Sequence, residues 1–169
     1  MEQAKHAVAA SRYPPLGTRS MAPFRLIPGI SDIVPDGRTS YQYQNDAAAV
    51  IVQIESVEGL KNAEEIAKVP GVDCLWYGAL DMTISMNMRA GVMESKPKEV
   101  LEAQAKVFCI AKENGIASGG IIQGTEAIGK GAQEGTVFVA AGADVFALLS
   151  QKQNLESTRE ALEKFSTSS

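Results

Sequence analysis

Two carboxylates, Glu55 and Asp81, stand just beyond apolar runs and are the residues whose placement most invites chemistry. The first run, residues 50–54, is apolar and β-branched apart from Gln53 and stops at Glu55. The second, Cys-Leu-Trp-Tyr at residues 74–77, is followed by Gly78 and then Asp81. An unpaired charge is costly to desolvate, so an acid at the end of a buried strand must face solvent, a cation or hydrogen-bond donors. Two such acids converging would suit a hard divalent ion such as Mg2+ or Mn2+, bound through oxygen with positions left for water and substrate. Each acid capping the helix after its strand satisfies the same spacing, so the residue types leave ligation and capping both open. Glu58, in a first helical turn, and Asp73, before a strand, are weaker candidates.

Other motifs carry less. Residues 124–130, Gly-Thr-Glu-Ala-Ile-Gly-Lys, match most of a phosphate-binding loop, but Gly131 stands where Ser or Thr would hold Mg2+. No dinucleotide fingerprint is present, because Glu134 occupies the place of its last glycine. His6 is the only histidine and is expected on the surface of an N-terminal helix, which leaves Ser-His-Asp and Cys-His schemes little support. Arg12 is expected as a surface cation, and Arg19 as either a loop clamp or a substrate contact. Met82, Met86, Met88 and Met93 are read as adaptable packing at a mouth or interface.

The elements that must position the acids follow from periodicity. A helix is expected over residues 1–11, ended by Pro14 and Pro15, and a long loop over residues 20–46, packed down by Tyr41 and Tyr43. From residue 48 strand and helix alternate. A helix over 58–69 places Leu60, Ala63, Ile66 and Ala67 on one face and stops at Pro70 and Gly71. Residues 81–91 read as a methionine-rich loop, and 97–114 as a helix capped by Asn114-Gly115. Strands are expected at 116–122 and 137–140, around a helix over 125–133. A last helix over 154–165 precedes a frayed tail. Strands separated by single helices imply right-handed crossovers and a parallel sheet. By strand count an open doubly wound sheet fits better than a (β/α)8 barrel, which typically needs about 250 residues.

At 169 residues, 45% hydrophobic and 21% charged, the chain has the length and balance of one globular domain. A net charge of −4 with dispersed basic residues excludes an electrostatic footprint for nucleic acid, and no apolar run is long enough to span a membrane. Cys74 and Cys109, outside any C-x-x-C spacing, are expected to be buried reduced thiols, which points to the cytoplasm.

Val-Gln-Ile-Glu at 52–55, Val-Pro-Gly-Val-Asp at 69–73, Gly-Ala-Leu-Asp at 78–81, Arg-Tyr-Pro-Pro-Leu-Gly-Thr-Arg at 12–19 and Phe-Val-Ala-Ala-Gly-Ala-Asp at 138–144 together resemble the HpcH/HpaI aldolase/citrate lyase family. The resemblance implies a metal-dependent carbon–carbon lyase on a phosphoenolpyruvate/pyruvate-type (β/α)8 barrel, acting on 4-hydroxy-2-oxo acids or, as in macrophomate synthase, oxaloacetate. It implies Glu55 and Asp81 as ligands of Mg2+, Mn2+ or Co2+. Gln53 would lie beside the substrate, and the backbone N–H groups of Leu80 and Asp81 would hold the pyruvate carboxylate. Ala79 departs from the proline usual at that position. The family's base and arginine match nothing here, since about four preceding strands are not in this chain. The expectation is therefore one truncated domain over residues 1–169, a partial barrel of about four parallel strands, with catalytic residues unassigned. An open half barrel leaves an apolar sheet face uncovered, so a homo-oligomer or a catalytically inactive remnant are both expected outcomes.

Overall fold

The computed structural model describes residues 1–21, 34, 37–91, 96–122, 124–133 and 135–166, with nothing said of the side chains of Phe165 and Ser166. Much of the expected 20–46 loop, Met93 and the tail beyond residue 166 lie outside the described residues.

The sheet has four parallel strands in the order β1-β2-β3-β4: β1 Ile51–Ile54, β2 Cys74–Tyr77, β3 Ala117–Ile121 and β4 Thr136–Ala140. Sequential order with no reversal is that of a barrel wall rather than a doubly wound sheet, which corrects the preference drawn from strand counting. The pleat divides the residues between two faces. Ile54, Leu75 and Tyr77 turn toward the helices and enter the core, with Val52 and Val139 packed against it. In the next layer Gln53, Trp76, Gly119 and Phe138 register side by side across all four strands. Gly119 leaves room for Trp76 and Phe138 to meet edge to face over it, with ring centroids 5.2 Å apart. Ile51, Ile121 and Phe138 are exposed, so the apolar face expected to lie uncovered is uncovered among the described residues.

The helices supply the other side of the core. Helix α1 is Glu2–Ser11 and α2 is Ser40–Ala47. Between β1 and β2 lie α3, Val57–Lys61, and α4, Ala63–Ala67, in place of one expected helix. The break is at Asn62, whose Nδ2 donates to the Glu58 carbonyl at 2.9 Å, a local bond of the kind that competes with helix continuation. After β2 comes α5, Ala79–Ser85, where a loop was expected; it buries Met82 and Thr83. Helix α6, Lys98–Glu113, buries Val100, Ala103, Val107, Phe108, Ile110 and Ala111. Helix α7 is Thr125–Gln133, and α8 is Asp144–Ser166, beginning ten residues before the expected onset at 154. With Gly129 and Lys130 inside α7, the partial phosphate-loop motif is helix, not loop.

Part of the expected loop is also structured. Thr39 opens α2 with a reciprocal capping box, its hydroxyl accepting from Gln42 N–H while Gln42 Oε1 accepts from Thr39 N–H at 2.9 Å. Tyr41 and Tyr43 are exposed rather than packed down. Arg12, expected on the surface, is a strut: its guanidinium donates to the carbonyls of Asn45, at 2.9 Å, and Ala48 and pairs with Asp73 at 3.4 Å. Asp73 Oδ2 also accepts Val50 N–H at 2.7 Å, so this pair anchors the amino ends of β1 and β2. Arg19 is a loop clamp, stacked 4.9 Å over the Tyr13 ring. Cys74 is buried as expected, but Cys109 is exposed on α6, where its thiol donates to Glu113 at 3.3 Å.

Candidate functional site

Glu55 follows β1 directly and Asp81 lies four residues beyond β2, so both acids sit at the carboxyl edge of two hydrogen-bonded parallel strands. That edge is where α/β folds gather ligands. The capping alternative does not describe either residue. Helix α3 is capped by Ser56, whose hydroxyl accepts Gly59 N–H at 3.0 Å, and α5 has Gly78 at its N-cap position, with no side-chain cap. Both acids are exposed, and neither pairs with a cation among the described residues.

The surrounding bonds hold this edge in shape. Gly78 N–H donates to the Ile54 carbonyl at 3.0 Å, extending the β1–β2 ladder past Tyr77. Val57 N–H donates to Ser85 Oγ at 3.0 Å, tying the start of α3 to the end of α5. Gln53 Nε2 donates to Glu55 Oε2 at 2.6 Å, a charge-assisted bond that sets the carboxylate's direction. Gly78 permits the arrangement, since a Cβ there would stand 2.7 Å from Gln53 Nε2 and 2.8 Å from Glu55 Cβ.

In α5 the first intrahelical donor is Met82, which bonds the Gly78 carbonyl at 3.0 Å. The N–H groups of Leu80 and Asp81 therefore belong to the turn that a helix leaves without internal partners. Leu80 is exposed. A cleft of about 830 Å3 opens beside them, lined by Gln53, Gly78, Leu80 and Asp81 at the sheet edge and by residues of α6 and α7. Glu55 is not among its lining residues; it stands beside the cleft, reached through Gln53.

The donor chemistry fits a hard divalent ion. Among the described residues no three His, Cys, Asp or Glu side chains gather into a ready-made metal site. Glu55 and Asp81 would supply two carboxylates and leave the other positions to water or substrate oxygens, the habit of Mg2+ rather than of a closed structural site. His6 is exposed on α1 and does not line the cleft. Sequence reasoning passed over Arg89 and Lys96 and met Lys130 only inside the partial phosphate-loop motif; all three line the cleft beside Asp81. Only their shared place in the cleft lining marks them, because Arg89 and Lys96 belong to the connection between α5 and α6 whereas Lys130 is on α7.

Residues 1–150 match the HpcH/HpaI aldolase/citrate lyase family. The chain belongs to that family. It is 35% identical over 155 residues to 2-dehydro-3,6-dideoxy-6-sulfogluconate aldolase of Pseudomonas putida, covering 91% of this chain and 58% of that protein. It is 36% identical over 155 residues to 5-keto-4-deoxy-D-glucarate aldolase of Klebsiella pneumoniae, covering 91% of this chain and 57% of the relative. Among solved structures macrophomate synthase superposes with a TM-score of 0.86 at 26% identity, over 98% of this chain and 57% of that one. The chain thus spans a little under three fifths of the length of these relatives. Its four-stranded sheet is a barrel segment, as the resemblance implied and the strand count did not.

Proposed function

We propose that this chain carries the metal-binding part of a carbon–carbon lyase for 2-oxo acids, of the 4-hydroxy-2-oxo acid aldolase or oxaloacetate type. The observation that carries this reading is the pair Glu55 and Asp81 at one sheet edge beside a cleft, neither capping a helix nor paired with a cation among the described residues. Mg2+ fits best, with Mn2+ or Co2+ as alternatives; held there, the ion would act as a Lewis acid toward the carboxylate and keto oxygens of pyruvate or oxaloacetate. Gln53 fixes the Glu55 carboxylate through its 2.6 Å bond. The Leu80 and Asp81 N–H groups, in the first turn of α5, would offer two donors to the substrate carboxylate. Leu101 and Phe108 give one wall of the cleft an apolar lining.

A second reading, 2-oxo acid and metal binding without turnover, is favoured by one observation: the only histidine is not in the cleft lining, and the matching residues supply no base. Calorimetry with Mg2+ and pyruvate, run beside an assay of pyruvate release from 4-hydroxy-2-oxo acids, separates the two. Asp81→Asn is expected to weaken metal-dependent pyruvate binding by at least about tenfold, as loss of a ligand should exceed loss of an outer-shell partner. Pyruvate release that survives Glu55→Ala would overturn the lyase reading.

We also infer a cytoplasmic homo-oligomer. No helix among the described residues is long and apolar enough to cross a membrane, and both cysteines are free. On α8 Leu148, Leu155 and Leu162 recur every seventh residue and are 69%, 71% and 65% exposed, a stripe suited to another helix. Sedimentation should give a mass above that of one chain, reduced toward 18.0 kDa by Leu155→Glu with Leu162→Glu. A native chain that sediments as a monomer would remove this part of the proposal.

A further inference from the structure

Neither edge of the sheet is blunted. Its order, β1-β2-β3-β4, leaves the outer edges of β1 and β4 without a partner strand among the described residues. Edge strands in natural sheets commonly carry a lysine, a proline or an inward-pointing charge, each of which deters pairing with another chain. Here no residue of the four strands is charged and none is proline. Beside these open edges lie Ile51 of β1 and Phe138 of β4, which are 42% and 49% exposed. Both side chains lie on the face opposite the core helices, as do Trp76 and Ile121.

No segment of residues 1–169 can supply the rest of a barrel wall. The longest stretch outside the described residues, 22–33, has 12 residues, whereas four more parallel strands need three crossovers of a dozen or more residues each. A second copy meets the requirement. A two-fold axis along the barrel axis keeps every strand parallel, sets β4 of each copy beside β1 of the other and makes the two seams equivalent. Four strands from each copy give the eight of a closed barrel, whose interior is just wide enough for side chains to fill. Closure removes both edges, and it buries no strand charge whose desolvation would oppose it. Both Glu55 and Asp81 pairs then share one mouth, because all eight strands run the same way.

We propose that two copies of this chain close an eight-stranded barrel through reciprocal β1–β4 seams, with Ile51, Trp76, Ile121 and Phe138 of both copies filling its interior. The seams use none of Leu148, Leu155 and Leu162, so this contact is separate from the self-association inferred from α8.

Sedimentation of Leu155→Glu with Leu162→Glu, which removes the α8 contact, isolates the seams. That variant should hold at twice the 18.0 kDa of one chain. Trp76 is the only tryptophan and lies on the face to be covered, so its emission should move to longer wavelength as the variant is diluted to single chains. Adding Ile51→Lys should raise the dissociation constant at least about a hundredfold, since symmetric closure would bury two unpaired lysines. Phe138→Lys should act alike from the other edge, and Leu16→Lys, at a 66% exposed position outside the sheet, should change nothing. Circular dichroism checks the fold of each variant; Ile51→Lys carries the test if Phe138→Lys, which loses the Trp76 ring contact, fails to fold. An α8 variant that sediments as one chain, or a dimer that tolerates Ile51→Lys, would overturn the closure. So would Trp76 emission that ignores dissociation, which would leave the face to a different chain. The α8 contact stands or falls separately: if the native chain and the α8 variant both sediment as two chains with the Trp76 response, the closure holds and only the α8 contact is removed.

Discussion

Gly78→Val is expected to abolish metal-dependent pyruvate binding and to lower stability by about 1–3 kcal/mol, the usual cost of forcing atoms into a packed site. The reason is space. Gly78 has φ −93°, which any residue adopts, so backbone strain is not the obstacle. Its missing side chain is what lets Gln53 and Glu55 lie against the end of β2. A Cβ would fall 2.7 Å from Gln53 Nε2, 2.8 Å from Glu55 Cβ and 3.2 Å from Glu55 Oε2. The glutamine amide can swing away at little cost, but it then loses its bond to Glu55. The Glu55 Cβ is fixed by its own backbone, next to the Ile54 carbonyl that accepts Gly78 N–H. Chain and carboxylate must therefore move together, and a branched residue adds two more methyl groups to the conflict. Gly129→Ala is the matched control, because nothing lies within 4 Å of that position and alanine suits the interior of α7. It should leave pyruvate binding unchanged. Calorimetry and chemical denaturation on both variants decide the matter, and native-like pyruvate binding by Gly78→Val would show that the Gln53–Glu55 arrangement is not needed.

The residues around this edge were unequally legible in the sequence. Strands β1 and β2 were found to within a residue because short β-branched or aromatic runs end at Glu55 and Gly78, where the apolar pattern breaks. Helix α6 was equally plain, since its apolar positions repeat over four turns and Asn114-Gly115 closes it. Helix α5 was missed although Ala79, Met82, Thr83 and Met86 stand at helical spacing. The four methionines between 82 and 93 drew attention to composition and away from period. Helix α2 carried its own signal, Thr39-x-x-Gln42, hidden inside a stretch judged by its prolines. Cys109 shows the limit of hydrophobicity as a guide: on α6 it falls on the outer face, one residue past buried Phe108. The capping question at Glu55 turned on Ser56, an adjacent residue that took the role. Strand order could not be read from alternation of elements, which a barrel segment and a doubly wound sheet share.

The core under the site should fail first at Tyr77, which is 2% exposed and donates its hydroxyl to the Val100 carbonyl at 2.7 Å. It joins β2 to the first turn of α6, so Tyr77→Ala removes both packing and a strand-to-helix tie. The expected loss is about 3–5 kcal/mol, as for other large aromatic truncations. A domain is typically stable by only about 5–15 kcal/mol, so much of the chain's stability would go with it. The same residue predicts a pH dependence whose sign follows from its burial. Burial pushes the Tyr77 phenol up to about 12 from an ordinary 10.0. Below the ordinary value the phenol is protonated in both folded and unfolded chains, and the full stability is present. Between the two values the unfolded chain releases the proton and the folded chain keeps it, so stability falls as pH rises, by about 2–3 kcal/mol in all. Burial also raises the Cys74 thiol, which adds a loss in the same direction. Tyr77→Phe isolates the tyrosine: it forfeits one hydrogen bond, about 1 kcal/mol at neutral pH, but should unfold with a visibly flatter alkaline limb. Denaturation midpoints measured across that window on the native chain and Tyr77→Phe provide the test, and parallel alkaline limbs would mean that the Tyr77 proton is not linked to folding.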